Sequence, residues 1–313
     1  MGEKSESWDV IIIGGGPAGV AAAIYTSRAL LKTLIIERGQ MGGNITVTDR
    51  IENYPGFPGG IEAFELALRF RDHAVEFGAR IENAEVTSLK LEGHVKVVET
   101  DKGAYRAKAL IIAAGLVPNK LGIPGEAEFW GRGVSACATC DGPFYKGLKV
   151  AVVGGGNTAV EEAVYLTRFA TEVNIIHRRD ELRATPLIRK RALGEPRIKF
   201  HWNSIPKRII GAEVVEGIEI ENVKTRETGK LDVSGVFVFV GYTPTSGYVG
   251  DLVARDKEGF IIVDCDMQTN VPGIYAAGDV VNPIYRQVVI ATGEGARAAL
   301  ALEKYLCDNW DKF

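Results

Sequence analysis

Residues Asp9–Gly19 read DVIIIGGGPAG, and this stretch decides the fold. Asp9–Ile13 is a short, continuous, β-branched run of the kind that makes a fully buried parallel strand. It leads into Gly14-Gly15-Gly16-Pro17-Ala18-Gly19 and then an alanine-rich helical stretch to about Leu31. A second β-branched run, Thr33–Ile36, ends in Glu37. The order is strand, G-x-G-x-x-G, helix, strand, acid. The first glycine turns the chain, the second lets backbone N–H groups approach a pyrophosphate, and the third lets helix close on strand. The helix N-terminus then faces the phosphates. Glu37 stands 21 residues after Gly16, where an acid accepts from ribose hydroxyls.

The pattern is written twice. Lys149–Val153 is a second strand, followed by Gly154-Gly155-Gly156-Asn157-Thr158-Ala159, a helix to about Phe169 and the strand Val173–Ile176. Gly14 and Gly154 lie 140 residues apart, and the same offset carries Glu37 onto His177. The ribose-reading position therefore holds an acid in the first copy and none in the second. There the chain continues Arg178-Arg179-Asp180, with Arg183 beyond. A carboxylate would repel a 2′-phosphate and an arginine cluster would bind one. Two dinucleotides are expected, a free-ribose one in the first copy and NADP in the second. The competing reading of the arginines is a solvated helix start, and His177 is expected beside the phosphate pocket rather than in catalysis.

Composition bounds the rest. Glycine is abundant, 37 of 313 residues or about 12% against a usual ~7%. With only 12 prolines and no G-X-Y period, collagen and disordered linkers are excluded. A net charge of −3 argues against a nucleic-acid binder. Leu110–Val117 is among the longest apolar runs and falls well short of the ~18 residues of a membrane helix. The polar stretch Met1–Asp9 leaves no room for a signal peptide, so a cytoplasmic protein is expected.

Connectivity is read from the spacing. Between the copies lie ENYPGF (52–57), a helix over Ala63–Glu76, alternating strands near Glu85–Leu91 and Val95–Glu99, and the buried strand LIIAAG (110–115). Val117-Pro118 reads as a crossover, and Gly235–Gly241 followed by Tyr242-Thr243-Pro244 as the return. GIYAAGD (273–279) is a further strand ending in a Gly-Asp turn. The expected fold is α/β, with two Rossmann-like three-layer domains, the second inserted into the first. The predicted boundaries are 1–116 with 246–313 for the first domain and 117–245 for the second. The segment from Arg286-Gln287 onward is a helix whose N-terminus either faces the cofactor or is an ordinary helix start.

Cys137-Ala138-Thr139-Cys140-Asp141 is a C-x-x-C motif within the inserted part. At a helix N-terminus such a pair forms a reversible disulfide, one thiolate stabilised and the other resolving mixed disulfides. Asp141 is placed to move a proton as thiol and thiolate interchange. Structural zinc needs four ligands, whereas Cys265 and Cys307 stand alone and no histidine has ligand spacing, so no metal is expected.

On these pieces the chain resembles the low-molecular-weight thioredoxin reductases along nearly its whole length. The matching segments are GGGPAG (14–19), ENYPGF (52–57), CATCDG (137–142), GGGNTAVEEA (154–163), HRRDELRA (177–184), GIYAAGD (273–279) and RQVVIATGEGARAA (286–299). CATCD followed by HRRDxxRA is the most specific pair. The resemblance implies an FAD domain first, with one FAD per subunit, and an NADPH domain second. FAD contacts would fall on Gly14, Gly16, Pro17, Ala18 and Gly19, on Glu37, Arg38, Gly39, Gly42, Gly43, Asn44 and Ile45, and on Asn53 and Val86. Ala114, Gly115, Gly278, Asp279, Arg286, Gln287 and Val288 would complete that set.

NADPH contacts would be Gly154, Gly156, Asn157, Thr158, His177, Arg178, Arg179 and Arg183. Cys140 resembles the flavin-proximal cysteine, Cys137 the one that attacks the partner disulfide, and Asp141 the general acid. A homodimer serving thioredoxin or a glutaredoxin-like protein is implied, with no nucleic acid and no membrane. Three positions depart from the family pattern: Ala113-Ala114-Gly115 replaces A-T-G, Asn44 replaces a glutamine after two glycines, and Thr245-Ser246 follows GYTP where an asparagine is usual. The alternatives are the same chemistry with another electron donor, against which the arginines argue, or a peroxidase-linked acceptor. Peroxidase-linked relatives carry an extra N-terminal thioredoxin-like region, for which the few residues before Asp9 leave no room.

Overall fold

The outer unit is built on β1 (Ser7–Ile13), whose alternate residues face opposite layers. The computed structural model describes residues 7–47, 50–51, 53–136, 138–281 and 285–313. After β1 come α1 (Pro17–Arg28), β2 (Thr33–Glu37), a short ribbon of β3 (Arg50–Ile51) and β4 (Ile61–Glu62), and α2 (Ala63–Glu76). Next are β5 (Arg80–Asn83), β6 (Val86–Glu92), β7 (Val95–Thr100) and β8 (Gly103–Ile112). The sheet order is β5-β2-β1-β8-β7-β6. β1, β2 and β5 run parallel with β8, and β6 and β7 fold back antiparallel.

Val10 and Ile12 join Ile35, Ala109 and Ile111 in one core layer with α1. Ile11 and Ile13 join Leu34, Ile36, Leu110 and Ile112 in the other. This alternation with both faces buried is why the strand reads as unbroken apolar sequence.

The inner unit repeats the plan. β9 (Leu116–Pro118) is followed by β10 (Val134–Ser135), α3 (Ala138–Asp141), β11 (Lys149–Gly154), α4 (Asn157–Leu166), β12 (Glu172–Ile176), α5 (Pro186–Leu193) and β13 (Ile198–His201). An antiparallel sheet of β14 (Ser204–Gly211), β15 (Val215–Asn222) and β16 (Thr228–Leu231) precedes β17 (Gly235–Phe239). The parallel sheet order is β10-β17-β11-β12-β13. One face packs on α4 through Val150, Val152, Val173 and Ile175. The other packs Ala151, Val153, Val236 and Val238 on the antiparallel sheet.

β18 (Tyr242–Pro244) pairs with β9 as a two-stranded ribbon, so the two crossovers of the chain are hydrogen-bonded together. The compact units are Met1–Val117 with Thr243–Phe313, and Pro118–Tyr242. The outer unit then adds β19 (Ile274–Ala276), which pairs parallel with the C-terminal half of β8, and the long α6 (Val288–Asn309). Among the described residues no helix is long and apolar enough to cross a membrane.

Three elements differ from the sequence expectation. α1 stops at Arg28 rather than near Leu31, because Leu30 takes a left-handed φ of 62°. α4 ends at Leu166 and the chain turns through Phe169. The arginines at 178, 179 and 183 are not on a helix, since α5 begins only at Pro186.

Lys96 in β7 is only 2% exposed. Its ammonium donates to the His94 carbonyl at 3.0 Å and lies 5.4 and 5.3 Å from the ring centres of Tyr305 and Phe313. Burial pulls its pKa from 10.5 down to about 8. A base whose folded pKa is depressed costs stability where it is charged, fully below about 8 and progressively less up to its unfolded value. The aromatic faces offset part of that cost. Lys96→Met is therefore expected to stabilise by about 2 kcal/mol at pH 7, several degrees in Tm. Thermal melts across pH should show the gain shrinking above pH 8, and a lowered Tm at pH 7 would contradict this account.

Candidate functional site

In the outer unit the glycine turn after β1 is tight against backbone at Gly14 and Gly19 and against the Met41 side chain at Gly15. Gly14 has φ +107°, and a Cβ there would collide with the Ala113 carbonyl at the end of β8. A Cβ on Gly19 would collide with the Gly14 carbonyl, so helix and strand touch backbone to backbone. Gly16 is different. Its φ of −76° suits any residue, and its Cβ would meet nothing closer than 3.9 Å. Protein packing gives no reason for glycine at 16, whereas close approach of a phosphate to the N-terminus of α1 does.

The other expected contacts gather around that turn. Glu37 accepts from the Gly15 and Gly39 N–H groups, both at 2.7 Å, which sets its carboxylate at the turn with lone pairs left for hydroxyl donors. Arg38 pairs with Glu85 at 3.5 Å, beside Val86 at the start of β6. Gly42 donates to the Gly15 carbonyl at 2.8 Å, and a Cβ on Gly43 would stand 3.3 Å from Gly16. The side-chain amide of Asn44 donates to the Leu116 carbonyl at 3.2 Å, so the shorter residue holds the start of the crossover. Ile45 is buried with Ile51 and Leu66, and Val288 packs against them.

From the far end of the chain, a Cβ on Gly278 would come within 2.8 Å of Ala18. Gly295 of α6 lies against the Ala18 carbonyl, so α6 packs on the first turn of α1. Gly278 N–H donates to Glu294 at 2.9 Å. Asp279 is half-buried, and its partial burial lifts its pKa to about 6, opposed by Arg286 and reinforced by Glu294. Asn53 donates to Gln287 at 2.9 Å, and Gln287 caps α6. Gly115 accepts from the Thr245 N–H at 3.0 Å, with Ala114 beside it.

The inner turn repeats the logic. Gly154 has φ +151° and abuts the Phe239 carbonyl and Ala159, while Gly156 has φ −84° and no neighbour within 4 Å of a Cβ. Gly155 has no room for a Cβ because the His177 ring lies there. That ring is 5% exposed, its Nε2 sits 3.1 Å from the Glu181 carbonyl, and burial is the main cause lowering its pKa. Arg183 and Ala184 N–H groups both reach the Gly155 carbonyl, and Thr185 N–H reaches Asn157 Oδ1 at 2.8 Å. These bonds draw the arginine segment onto the glycine turn, beside Thr158 in the first turn of α4. Arg178, Arg179 and Arg183 are exposed, and among the described residues none is paired with a carboxylate.

A cavity of about 350 Å³ is lined by Gly154, Gly155, His177, Arg178 and Arg183. Lys120, Leu121, Ile123, Ser204, Ile205 and Pro206 also line it, and sequence reasoning missed them. They lie after a crossover and at an antiparallel strand, where no spacing rule points to a ligand.

The dithiol element is α3, a single turn on the inner unit that packs beside α4. A Cβ on Gly142, just after it, would stand 3.3 Å from Leu166 and Phe169. Cys137 lies outside the described residues. Asp141 is half-buried at the end of that turn. Glu162 of α4, also unforeseen, has a buried oxygen without a partner and a pKa pushed up to about 7, by burial first and Glu161 second. Cys265 and Cys307 are free and exposed.

Two glycine turns of this geometry, one beside an acid and one beside arginines without a carboxylate partner among the described residues, have the form expected of dinucleotide sites. The family model of pyridine nucleotide-disulphide oxidoreductases matches residues 8–295. The chain belongs to that family. Over 311 residues it is 44% identical to a thioredoxin reductase of Peptoclostridium acidaminophilum, covering 97% of this chain and 99% of the relative. A thioredoxin reductase of Bacillus subtilis (strain 168) is 45% identical over 304 residues, covering 97% and 96%. The crystal structure of Lactococcus lactis thioredoxin reductase matches with a TM-score of 0.90 at 43% identity, covering 96% of this chain and 99% of that one. The fold is the α/β architecture of these reductases.

Gly156→Ala is expected to leave the melting temperature unchanged, since neither backbone nor packing opposes a methyl group there. It should weaken NADP⁺ by about tenfold or more, read by isothermal titration. Gly154→Ala should instead lower the melting temperature. Unaltered NADP⁺ affinity in Gly156→Ala would contradict the assignment of that turn.

Proposed function

We propose that this chain reduces the disulfide of thioredoxin with electrons from NADPH, by way of FAD and the Cys137/Cys140 dithiol. The observation that carries this reading is the unexplained second glycine of both G-x-G turns, Gly16 and Gly156, with an acid at the ribose-reading position of the first and arginines just past that position in the second. The C-x-x-C element on the inner unit adds the acceptor chemistry, and relatives named thioredoxin reductase over nearly the full chain support it. The outer unit holds FAD, through the glycine turn at 14–19, Glu37, the 42–45 segment, Asp279 and the start of α6. The inner unit holds NADPH, through the turn at 154–156 and Arg178, Arg179 and Arg183. Bound FAD and NADPH supply the hydride and electron-pair chemistry that no side chain offers.

The remaining steps belong to the chain's own residues. Two-electron reduction opens the Cys137–Cys140 disulfide. The Cys137 thiolate attacks one sulfur of the thioredoxin disulfide, forming a mixed disulfide and releasing the other sulfur as thiolate. Cys140 then attacks Cys137, restoring the internal disulfide and releasing the second thioredoxin sulfur. Asp141 passes the proton that the leaving thiolate takes up. A dithiol that cycles in this way suits the reducing cytoplasm, and the working form is a homodimer.

Phe144, four residues after Cys140 in the chain, is 78% exposed, a large apolar side chain left in solvent. Such a residue fits a protein partner. Phe144→Ala is expected to raise the KM for thioredoxin several-fold without changing reduction of the flavin by NADPH. Cys137→Ser and Cys140→Ser should each abolish thioredoxin reduction while retaining flavin. Full turnover with thioredoxin in either cysteine variant would refute the mechanism.

A further inference from the structure

The cavity of the inner unit has a cation that the arginine cluster does not account for. Lys120 lines it together with Gly154, Gly155, Arg178 and Arg183. Its ammonium lies 5.5 Å from the ring centre of Trp130, and among the described residues no carboxylate pairs with it. An aromatic face steadies such a cation without neutralising it.

The loop that carries Lys120 is built around a buried acid. Glu126 is 3% exposed, and its two oxygens accept the Leu121 and Gly122 N–H groups, each at 2.7 Å. A buried carboxylate is costly unless hydrogen-bonded, and these charge-assisted bonds to the backbone satisfy it. Their effect is to close 121–126 into a fixed loop. The loop is fastened at both ends: Asn119 N–H donates to the Gly241 carbonyl, and Ile209 N–H to the Pro124 carbonyl, each at 2.9 Å. Gly125 sits so close to the Ile209 carbonyl that a side chain would collide.

The sheet order gives the position of the ammonium relative to the arginines. β11, which ends in the glycine turn, lies between β17 and β12. Arg178 and Arg183 come after β12. Asn119 is fastened to Gly241, just past β17, so Lys120 approaches the turn from the opposite side. On that side of the cavity a bound phosphate would lie over the glycine turn rather than beside the arginines.

We propose that Lys120 binds the pyrophosphate of the nicotinamide dinucleotide, and that Glu126 is the positioning residue that presents it. This rests on reading the cavity as the NADPH site. It separates two tasks: the arginines select the 2′-phosphate, and Lys120 adds affinity common to NADPH and NADH.

The test is isothermal titration of the full-length flavoprotein with NADP⁺ and with NAD⁺, for the unaltered chain and for Lys120→Met, Lys120→Arg, Glu126→Ala, Lys120→Met/Glu126→Ala and Arg178→Met. Retained flavin and an unchanged melt identify the folded variants. Lys120→Met is expected to weaken both dinucleotides by the same factor, about tenfold or more, the scale of one charge-assisted hydrogen bond. Lys120→Arg should recover most of that loss. Glu126→Ala should reproduce it, and the double variant should be no weaker than either single one, as coupled residues behave. If Glu126→Ala fails to fold, the two lysine variants decide the matter. Unchanged binding in Lys120→Met, or weakening of NADP⁺ alone, would overturn the proposal. Arg178→Met that leaves the ratio of NADP⁺ to NAD⁺ affinity intact would instead overturn the reading of the cavity itself.

Discussion

The structure depends on a backbone-to-backbone contact made where strand turns into helix. At Gly14 and Gly19 no side chain intervenes, so α1 starts directly over the end of β1. That places the unbonded N–H groups of the first helical turn at the C-terminal end of the parallel strands, where they can receive an anion. The inner unit makes the corresponding contact between Gly154 and the methyl group of Ala159, with the Phe239 carbonyl alongside. Everything that would bind a ligand is arranged around these two strand ends. In the outer unit, Gly295 and Gly278 extend the close packing, bringing α6 and Asp279 onto the same helix end.

The same turn is made to serve different ligands by the residues at the end of the second strand. Glu37 is fastened to the turn by Gly15 N–H. At the matching place in the inner unit, the imidazole of His177 fills the space over Gly155 and leaves the arginines outside, unpaired. A carboxylate favours hydroxyl donors and repels phosphate, and a guanidinium does the reverse. In the proposed function, discrimination between two dinucleotides would come from the residues that follow the second strand of each repeat, on matching backbone scaffolding.

Much of this was legible in the sequence because the determinants are local. Buried parallel strands read as β-branched runs, and the glycine spacing reports a turn whose first glycine tolerates no side chain. The offset of 140 residues exposed the swap of Glu37 for His177. Contacts between distant residues were not legible. Nothing in the sequence links Asn44 to the Leu116 carbonyl, 72 residues away. The sequence also permits a helix start at the arginine segment, yet the Arg183 and Ala184 N–H groups bond to the Gly155 carbonyl, and the helix begins only at Pro186. Glu126 and Lys120 were invisible for the same reason, since a loop's shape is set by partners such as Gly241 and Ile209. The side of the fold that faces solvent, including Phe144, carries no periodic signal at all.

The central claim is that electrons pass from NADPH to a protein disulfide through one chain bearing two distinct dinucleotide sites. The most direct measurement is an anaerobic titration of the purified flavoprotein with NADPH and, separately, NADH, with oxidised thioredoxin added afterwards. The account predicts that NADPH bleaches the yellow colour at far lower concentration than NADH. It also predicts that thioredoxin restores the colour as its own disulfide is reduced. Equal bleaching by the two donors, or a bleached enzyme that thioredoxin leaves colourless, would contradict it.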